Sequence, residues 1–136
     1  MFHSETLRFK GHQMKIDRLL TNVCSQNLEE SKLFYTSLFS FKVDYDSDWF
    51  IHLISEGREL ELGIISQNHD VVPAKVKGKI VGAYLTFVVE NVDECFKRCH
   101  ELRYEIIQEP EITPYGQKRM LVVAPEGTVC DISSPA

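Results

Sequence analysis

The alternation of hydrophobic and polar positions predicts a strand, a helix and three further strands in the first half of the chain. Residues 16–25 are rich in β-branched and apolar side chains, which is typical of a largely buried strand. Asn27 is suited to cap a helix, Glu30 completes a capping box, and apolar residues then recur at helical spacing as far as Phe39. Turn residues separate the three strands that follow, at 41–45, 49–55 and 60–65.

The second half of the chain repeats this order. Residues 80–90 are typical of a strand, and Asn91 begins a second helix whose apolar face ends at Leu102. The helix caps Asn27 and Asn91 lie 64 residues apart, which indicates an internal duplication of a βαβββ module. Three more strands are predicted at 104–107, 119–123 and 128–132.

The duplication predicts an α+β fold in which two βαβββ modules pair. A four-stranded sheet with one helix covers only one of its faces, so a second copy is needed to complete the structure. The uncovered concave faces would then form the walls of a cleft, the usual place for a small ligand. We divide the chain, as one structural domain, into an N-terminal extension at 1–13, a first module at 14–65, a connector at 66–79 and a second module at 80–136.

Composition narrows the class of protein. The 136 residues, 43% of them hydrophobic, suffice for one compact domain with its own core. A net charge of −5 without long basic runs argues against nucleic acid as a partner, and the apolar runs are too short to span a membrane. The first ten residues lack the apolar segment of a secretory signal, so we expect a cytoplasmic protein. The four cysteines are sparse, and we expect them to be buried, reduced thiols.

Two segments carry a pattern that identifies a family. In 27–41, a Ser at position 31 and the pair Phe34-Tyr35 precede an apolar end of the helix, and in 124–132 a Pro-Glu-Gly turn joins two strands. Both segments resemble signatures of the glyoxalase, bleomycin-resistance and extradiol-dioxygenase superfamily, also called the vicinal oxygen chelate proteins. The resemblance extends over about residues 15–134. It implies paired βαβββ modules around a cleft, often in a dimer and sometimes with modules exchanged between protomers.

The resemblance also implies positions for a metal. In the enzymes of this superfamily one divalent ion is bound by the first and last strands of each module. The equivalent positions here are Leu20, Glu61, Tyr84 and Asp131, and a register slip of two residues would replace Leu20 by Asn22. Leucine cannot bind a cation and neutral tyrosine is a poor ligand, which leaves Glu61 and Asp131 as the candidate metal ligands. We therefore predict no cofactor, since two carboxylates alone would bind a divalent metal weakly.

Strand parity selects the side chains that would line the cleft. Glu61 and Asp131 either lie in the cleft or belong to a solvated sheet face; facing each other, they would form an acid and base pair with raised pKa. His52 is either a proton carrier or ligand contact, or a structural residue of the rim. Trp49 and Phe50 point to opposite faces, so one should line the cleft and the other pack under the helix. The ligand-binding candidates are Asn22, Trp49, His52, Glu61, Tyr84, Thr86, Arg119 and Asp131.

The second predicted helix contains a cluster of Cys95, Cys99 and His100. Cys95 and Cys99 share a stripe with apolar residues, so core packing explains them, and His100 points away from that stripe. The sequence also lacks the glycine-rich phosphate loop and the nucleophile motifs of other enzyme classes. Nucleotide and acyl-enzyme chemistry therefore have no support.

These observations favour a metal-independent protein that binds a small organic molecule between its modules and forms a homodimer. An acidic, aromatic-lined cleft would favour a neutral or cationic ligand. The alternative is a metal-dependent lyase, isomerase or dioxygenase in which Glu61 and Asp131 are two of the ligands. A third hypothesis is a diverged scaffold that keeps only its dimer interface.

Overall fold

The computed structural model of the chain describes residues 14–78 and 82–136. Within these ranges it contains two successive βαβββ modules, as the duplicated pattern predicts. The helices are α1 (Leu28–Phe39) and α2 (Val92–Glu101), and a short 3-10 turn at Ala74–Val76 lies between the modules. The strands are β1 (Thr21–Ser25), β2 (Lys42–Asp46), β3 (Phe50–Ile54), β4 (Glu61–Ser66), β5 (Leu85–Val88), β6 (Glu105–Ile112), β7 (Gln117–Val123) and β8 (Val129–Pro135).

Both helices begin at the predicted caps. The side-chain oxygen of Asn27 accepts the backbone N–H of Glu30 at 3.1 Å, and that of Asn91 accepts the N–H of Glu94 at 3.1 Å. Each bond satisfies one of the N–H groups that have no partner within a helix. Helix α1 has its predicted bounds and ends where Ser40 adopts a left-handed φ of 57°.

The two modules form two sheets with the same strand order. Sheet A has the order β1-β4-β3-β2 and sheet B has the order β5-β8-β7-β6. In each sheet the first strand runs parallel to the last, so that Asn22 lies beside Gly63 and Thr86 beside Asp131. The remaining pairs are antiparallel. The α+β fold class and the paired modules are therefore confirmed.

Each sheet buries one face, which we call its inner face. Helix α1 packs between the two inner faces: the ring of Phe39 stacks on that of Phe87 in β5 at 3.8 Å, and the Tyr35 hydroxyl lies next to Cys130 of β8. One core therefore joins both modules, and the other face of each sheet, its outer face, points away from that core. The buried inner-face residues include Ile51, Leu53, Leu62, Ile64, Met120, Val122, Cys130 and Ile132.

A partly buried hydrogen-bond network connects α1 to the turn between β7 and β8. The Tyr35 hydroxyl donates to the Glu126 carboxylate at 2.6 Å, Ser31 donates to it at 2.8 Å, and Thr128 donates to it at 2.6 Å. Burial and the nearby Glu126 carboxylate raise the pKa of Tyr35 well above its ordinary value. The two segments that carry the family resemblance thus meet here, because the second supplies the acceptor for the first.

The largest differences from the predicted strand boundaries occur in three strands. β1 begins at Thr21 rather than 16, because residues 14–19 are exposed and pair with no described strand. β6 continues to Ile112 past Pro110, which an edge strand tolerates where the register with β7 shifts. β5 is shorter than predicted and begins at Leu85, while residues 79–81 and the predicted extension at 1–13 lie outside the described residues.

The four cysteines are free thiols. Cys99 and Cys130 are buried, whereas Cys24 and Cys95 are only partly buried, so the expectation of full burial holds for two of the four. His100 contacts the ring of Phe96, with ring centroids 5.9 Å apart. In the part of the chain that the structure describes, neither helix is long and apolar enough to cross a membrane.

Candidate functional site

The outer face of sheet A carries a linked group of five charged or titratable side chains. His52 on β3 bonds Glu61 on β4 through Nε2 at 2.7 Å and Asp44 on β2 through Nδ1 at 3.0 Å. Arg18, which precedes β1, donates from Nε to both carboxylate oxygens of Glu61 at 2.7 and 2.8 Å and from Nη2 to Glu61, and this Nη2 lies 3.3 Å from Nε2 of His52. Arg58 donates to Asp44 at 2.9 Å.

Glu61 is the electrostatic centre of this group. Hydrogen bonds from Arg18, and secondarily from His52, lower the pKa of Glu61 to about 2 against the opposing effect of burial. The pairing raises the pKa of Arg18. The pKa of Glu61 is therefore lowered, not raised as a facing pair of carboxylates would require, and Glu61 is a weak base.

The absence of a side chain at Gly63 allows the side chains of Asn22 and Phe50 to lie close to the β4 backbone on this outer face. A Cβ at position 63 would lie 2.0 Å from Oδ1 of Asn22 and 2.9 Å from Cε1 of Phe50. Such approaches are far inside van der Waals contact, so only glycine is accommodated here without movement. Asn22 therefore lies in the outer face, as strand parity predicts.

Aromatic side chains form the rim next to this group. The ring centroid of Phe50 lies 6.5 Å from that of Tyr45 and 5.7 Å from that of Trp49. The Trp49 ring stacks on the His69 ring with their centroids 4.0 Å apart. The prediction that either Trp49 or Phe50 packs under the helix is wrong. Trp49 precedes the first residue of β3, so the alternation of the strand does not fix its direction, and the turn after β4 supplies its partner.

The outer face of sheet B carries a second carboxylate and arginine pair. Arg119 on β7 donates from Nε to Asp131 on β8 at 2.9 Å, and the Ser133 hydroxyl donates to the other carboxylate oxygen at 2.7 Å. This bond to Asp131 raises the pKa of Arg119. Tyr84 and Arg119 line a shallow cavity of about 410 Å³.

The remaining candidates are distributed between the two outer faces. Thr86 is the strand partner of Asp131 and is exposed. Thr86 and Glu61 also border an apolar groove of about 600 Å³ between the end of α1 and strand β5. Glu61 and Asp131 themselves do not face each other within one chain, because the outer faces of both sheets point away from the shared core.

Sequence reasoning missed three members of the charged group on sheet A, namely Arg18, Asp44 and Arg58. Arg58 lies in the turn between β3 and β4, where strand alternation does not set the direction of a side chain. Arg18 lies at the same parity as Asn22 in the stretch predicted as the first strand, which could have placed it beside Glu61. Asp44 lies at a bulge between Val43 and Tyr45, where the register with β3 shifts.

The sequence and the structure were compared with known proteins. The profile of the glyoxalase-like domain family matches residues 19–136, most of the chain. The chain belongs to this family. Its superfamily comprises the glyoxalases, the bleomycin resistance proteins and the dioxygenases. None of the curated proteins compared with the sequence matches it.

Solved structures of this superfamily have the same fold. A glyoxalase/bleomycin resistance protein/dioxygenase family enzyme from Burkholderia phytofirmans has a TM-score of 0.74 and 18% identity, over 86% of this chain and 97% of that one. Lactoylglutathione lyase from Agrobacterium tumefaciens has a TM-score of 0.67 and 13% identity, over 90% and 96%. A conserved domain protein has a TM-score of 0.66 and 27% identity, over 90% and 100%.

The residues at the four metal positions of the glyoxalase superfamily do not fit a divalent ion. Leu20 offers no donor atom, and the carboxylates of Glu61 and Asp131 each accept hydrogen bonds from an arginine. Over residues 14–78 and 82–136, no three His, Cys, Asp or Glu side chains are arranged to hold a metal. A cation at either carboxylate would have to displace a guanidinium that already neutralises it.

Proposed function

We propose that this glyoxalase-like protein binds a small organic molecule, without a metal, in a cleft formed when two copies associate. The pairing of Glu61 with Arg18 carries the proposal. Arg18 and His52 together use both oxygens of the Glu61 carboxylate, so the charge that would attract a metal is already compensated. What remains on the outer face is a structured surface of aromatic and hydrogen-bonding groups.

The requirement for a second copy follows from the packing of the helices. Each chain has two outer faces that point away from its own core, so a two-walled cleft needs an outer face of a second copy; in our proposal the sheet A face of one copy lies against the sheet B face of the other. β1 and β5 are edge strands within the described sheets, and Val88 in β5 is 75% exposed. Edge strands of this kind are commonly covered by a partner.

The sheet A wall of such a cleft would present aromatic side chains beside its charged group. The sheet A face contributes Phe50 and Tyr45, with Trp49 stacked on His69 at the rim. Apolar and aromatic walls with a few placed polar groups are the usual composition of small-molecule sites. Glu61 and Asp131 would then orient the arginines that bond them rather than react with the ligand.

Three measurements test the proposal. Sedimentation should show a dimer, and elemental analysis after exposure to manganese, iron, cobalt, nickel and zinc should show no more metal than a chelated control. Thermal unfolding in a panel of small aromatic compounds should reveal stabilisation that chelators leave unchanged, because a ligand of the folded state raises its stability by mass action. Near-stoichiometric retention of one metal would overturn the metal-free site and favour the enzyme alternative.

A double variant tests whether the ligand binds at the outer faces. The double variant Glu61→Ala and Asp131→Ala should lose the ligand-dependent stabilisation, since both arginines lose the groups that orient them. The matched control removes two exposed carboxylates elsewhere, Glu101 and Glu105, and should keep it. If the double variant Glu61→Ala and Asp131→Ala keeps the full ligand-dependent stabilisation, the assignment of binding to the outer faces is refuted.

A further inference from the structure

We infer that the molecule bound in this cleft carries an anionic oxygen group, a carboxylate or sulfonate, held by the terminal nitrogens of Arg119. The inference rests on the proposed function and names the class of its ligand. It replaces the expectation of a neutral or cationic ligand, which depended on two carboxylates without partners.

The charge balance of the outer faces favours an anionic ligand. Glu61 accepts hydrogen bonds from Arg18 and His52, and Asp131 accepts hydrogen bonds from Arg119 and Ser133. The carboxylates of both pairs are therefore already bonded within the protein. Among the described residues no hydrogen bond uses the terminal N–H groups of Arg119, so a ligand that supplies acceptor oxygens fits them.

Arg119 is oriented to receive such a group. It bonds Asp131 through Nε alone, and over residues 14–78 and 82–136 no side chain accepts a hydrogen bond from Nη1 or Nη2. Asp131 is itself fixed by Ser133 and is 7% exposed, while the Arg119 side chain is 26% exposed. The planar end of the guanidinium therefore presents two parallel donors, the geometry that matches a carboxylate or sulfonate.

The cavity beside Arg119 strengthens this preference. Its described lining consists of Arg119 with Gly82, Ala83, Tyr84, Leu121 and Val129, so no carboxylate lies among them. In this cavity an anion would contact one cation, Arg119, and otherwise largely apolar side chains. The attraction between the two charges is less screened there than in water. Arg18 is a weaker candidate, because it donates from both Nε and Nη2 and its side chain is 59% exposed.

A pair of fluorescent probes with one aromatic scaffold tests the inference. Anilinonaphthalene sulfonate carries the anion, and phenylnaphthylamine has the same rings without it. Wild-type protein that unfolds cooperatively should bind the sulfonate about 10- to 100-fold more tightly, the range expected for hydrogen bonds to a charged group. Binding should saturate at one probe per cleft.

Two variants then test whether Arg119 causes the tighter binding of the sulfonate probe. Arg119→Gln should remove the advantage of the sulfonate, so that the two probes bind with similar affinity. Lys118→Gln is the matched control. Lys118 directly precedes Arg119 in β7, but its side chain points to the other face of the sheet, where it bonds Asp93 at 2.7 Å. If Arg119→Gln is unstable, the double variant Arg119→Gln and Asp131→Asn leaves no unpaired carboxylate and gives the same readout.

Each other outcome overturns a distinct statement. Equal affinity for the two probes would refute the anionic ligand and leave the proposed cleft intact. Equal loss in Arg119→Gln and Lys118→Gln would show an effect of net charge and would also refute the role of Arg119. Absence of binding by either probe to the folded protein would refute the proposed cleft, and with it the inference.

Discussion

The hydrogen bond between Tyr35 and Glu126 provides the sharpest test of how the two modules are held together. Tyr35→Phe removes one hydroxyl, which donates to the carboxylate at 2.6 Å, and leaves the packing of the fully buried ring unchanged. The carboxylate keeps its bonds from Ser31 and Thr128, so no buried group loses all its partners. The variant should therefore lose only the net value of a hydrogen bond to a charged group, about 1.5–3 kcal/mol.

The assay is urea denaturation at fixed protein concentration, followed by circular dichroism. The midpoint should fall with the slope unchanged, since the surface exposed on unfolding is the same. In a thermal scan, roughly 4 °C per kcal/mol for a chain of this size corresponds to a decrease in Tm of about 6–12 °C. Equal protein concentrations are needed, because association adds to the stability of a dimer.

Tyr45→Phe is the matched control. Tyr45 is 53% exposed, and its hydroxyl takes part in none of the hydrogen bonds of the described residues. Its loss should change the free energy of unfolding by less than about 0.5 kcal/mol. A Tyr35→Phe variant as stable as this control would refute the view that the network stabilises the contact between the modules.

Three further predictions concern the core and the outer face of sheet A. Phe34→Ala should cost about 3–5 kcal/mol in urea denaturation, because Phe34 is fully buried; a cost below about 1 kcal/mol would contradict its place in the core. Gly63→Ala should displace Asn22 and weaken ligand-dependent thermal stabilisation, while Asn22→Ala alone should keep the fold; unchanged binding in Gly63→Ala would exclude this face. Because the pKa of Glu61 is lowered to about 2, its contribution to stability is complete above its ordinary pKa of 4.5 and is lost as the pH falls toward 2. The stability difference between wild type and Arg18→Ala should therefore shrink over that interval, and a constant difference would show that Arg18 does not act through Glu61.

Local signals in the sequence were sufficient for the elements of the fold. The caps at Asn27 and Asn91 are satisfied by bonds to residues only three positions away, and both helices begin where these caps place them. The repeat of 64 residues between them corresponds to two sheets of identical strand order. Such signals are visible in sequence because the interacting groups are close along the chain.

The composition of the site was predictable only in part. Strand alternation placed Glu61, His52 and Arg119 on outer faces, because side-chain direction has a period of two in a regular strand. The partners that determine their charge state were not visible. Arg18 and Glu61 are 43 residues apart, and Asp44 lies at a bulge that interrupts the alternation.

The sequence by itself determined the two modules, their helices and the polar side of each sheet, because periodicity and caps act over a few residues. The tertiary structure alone decided how the modules are arranged. Helix α1 lies between the inner faces because Phe39 stacks on Phe87 and Tyr35 bonds Glu126, contacts made between residues 48 and 91 positions apart. These contacts turn both outer faces away from the core, and they separate the carboxylates that the sequence suggested as a facing pair. Contacts at such separations depend on the shapes of complete elements, which no local pattern encodes.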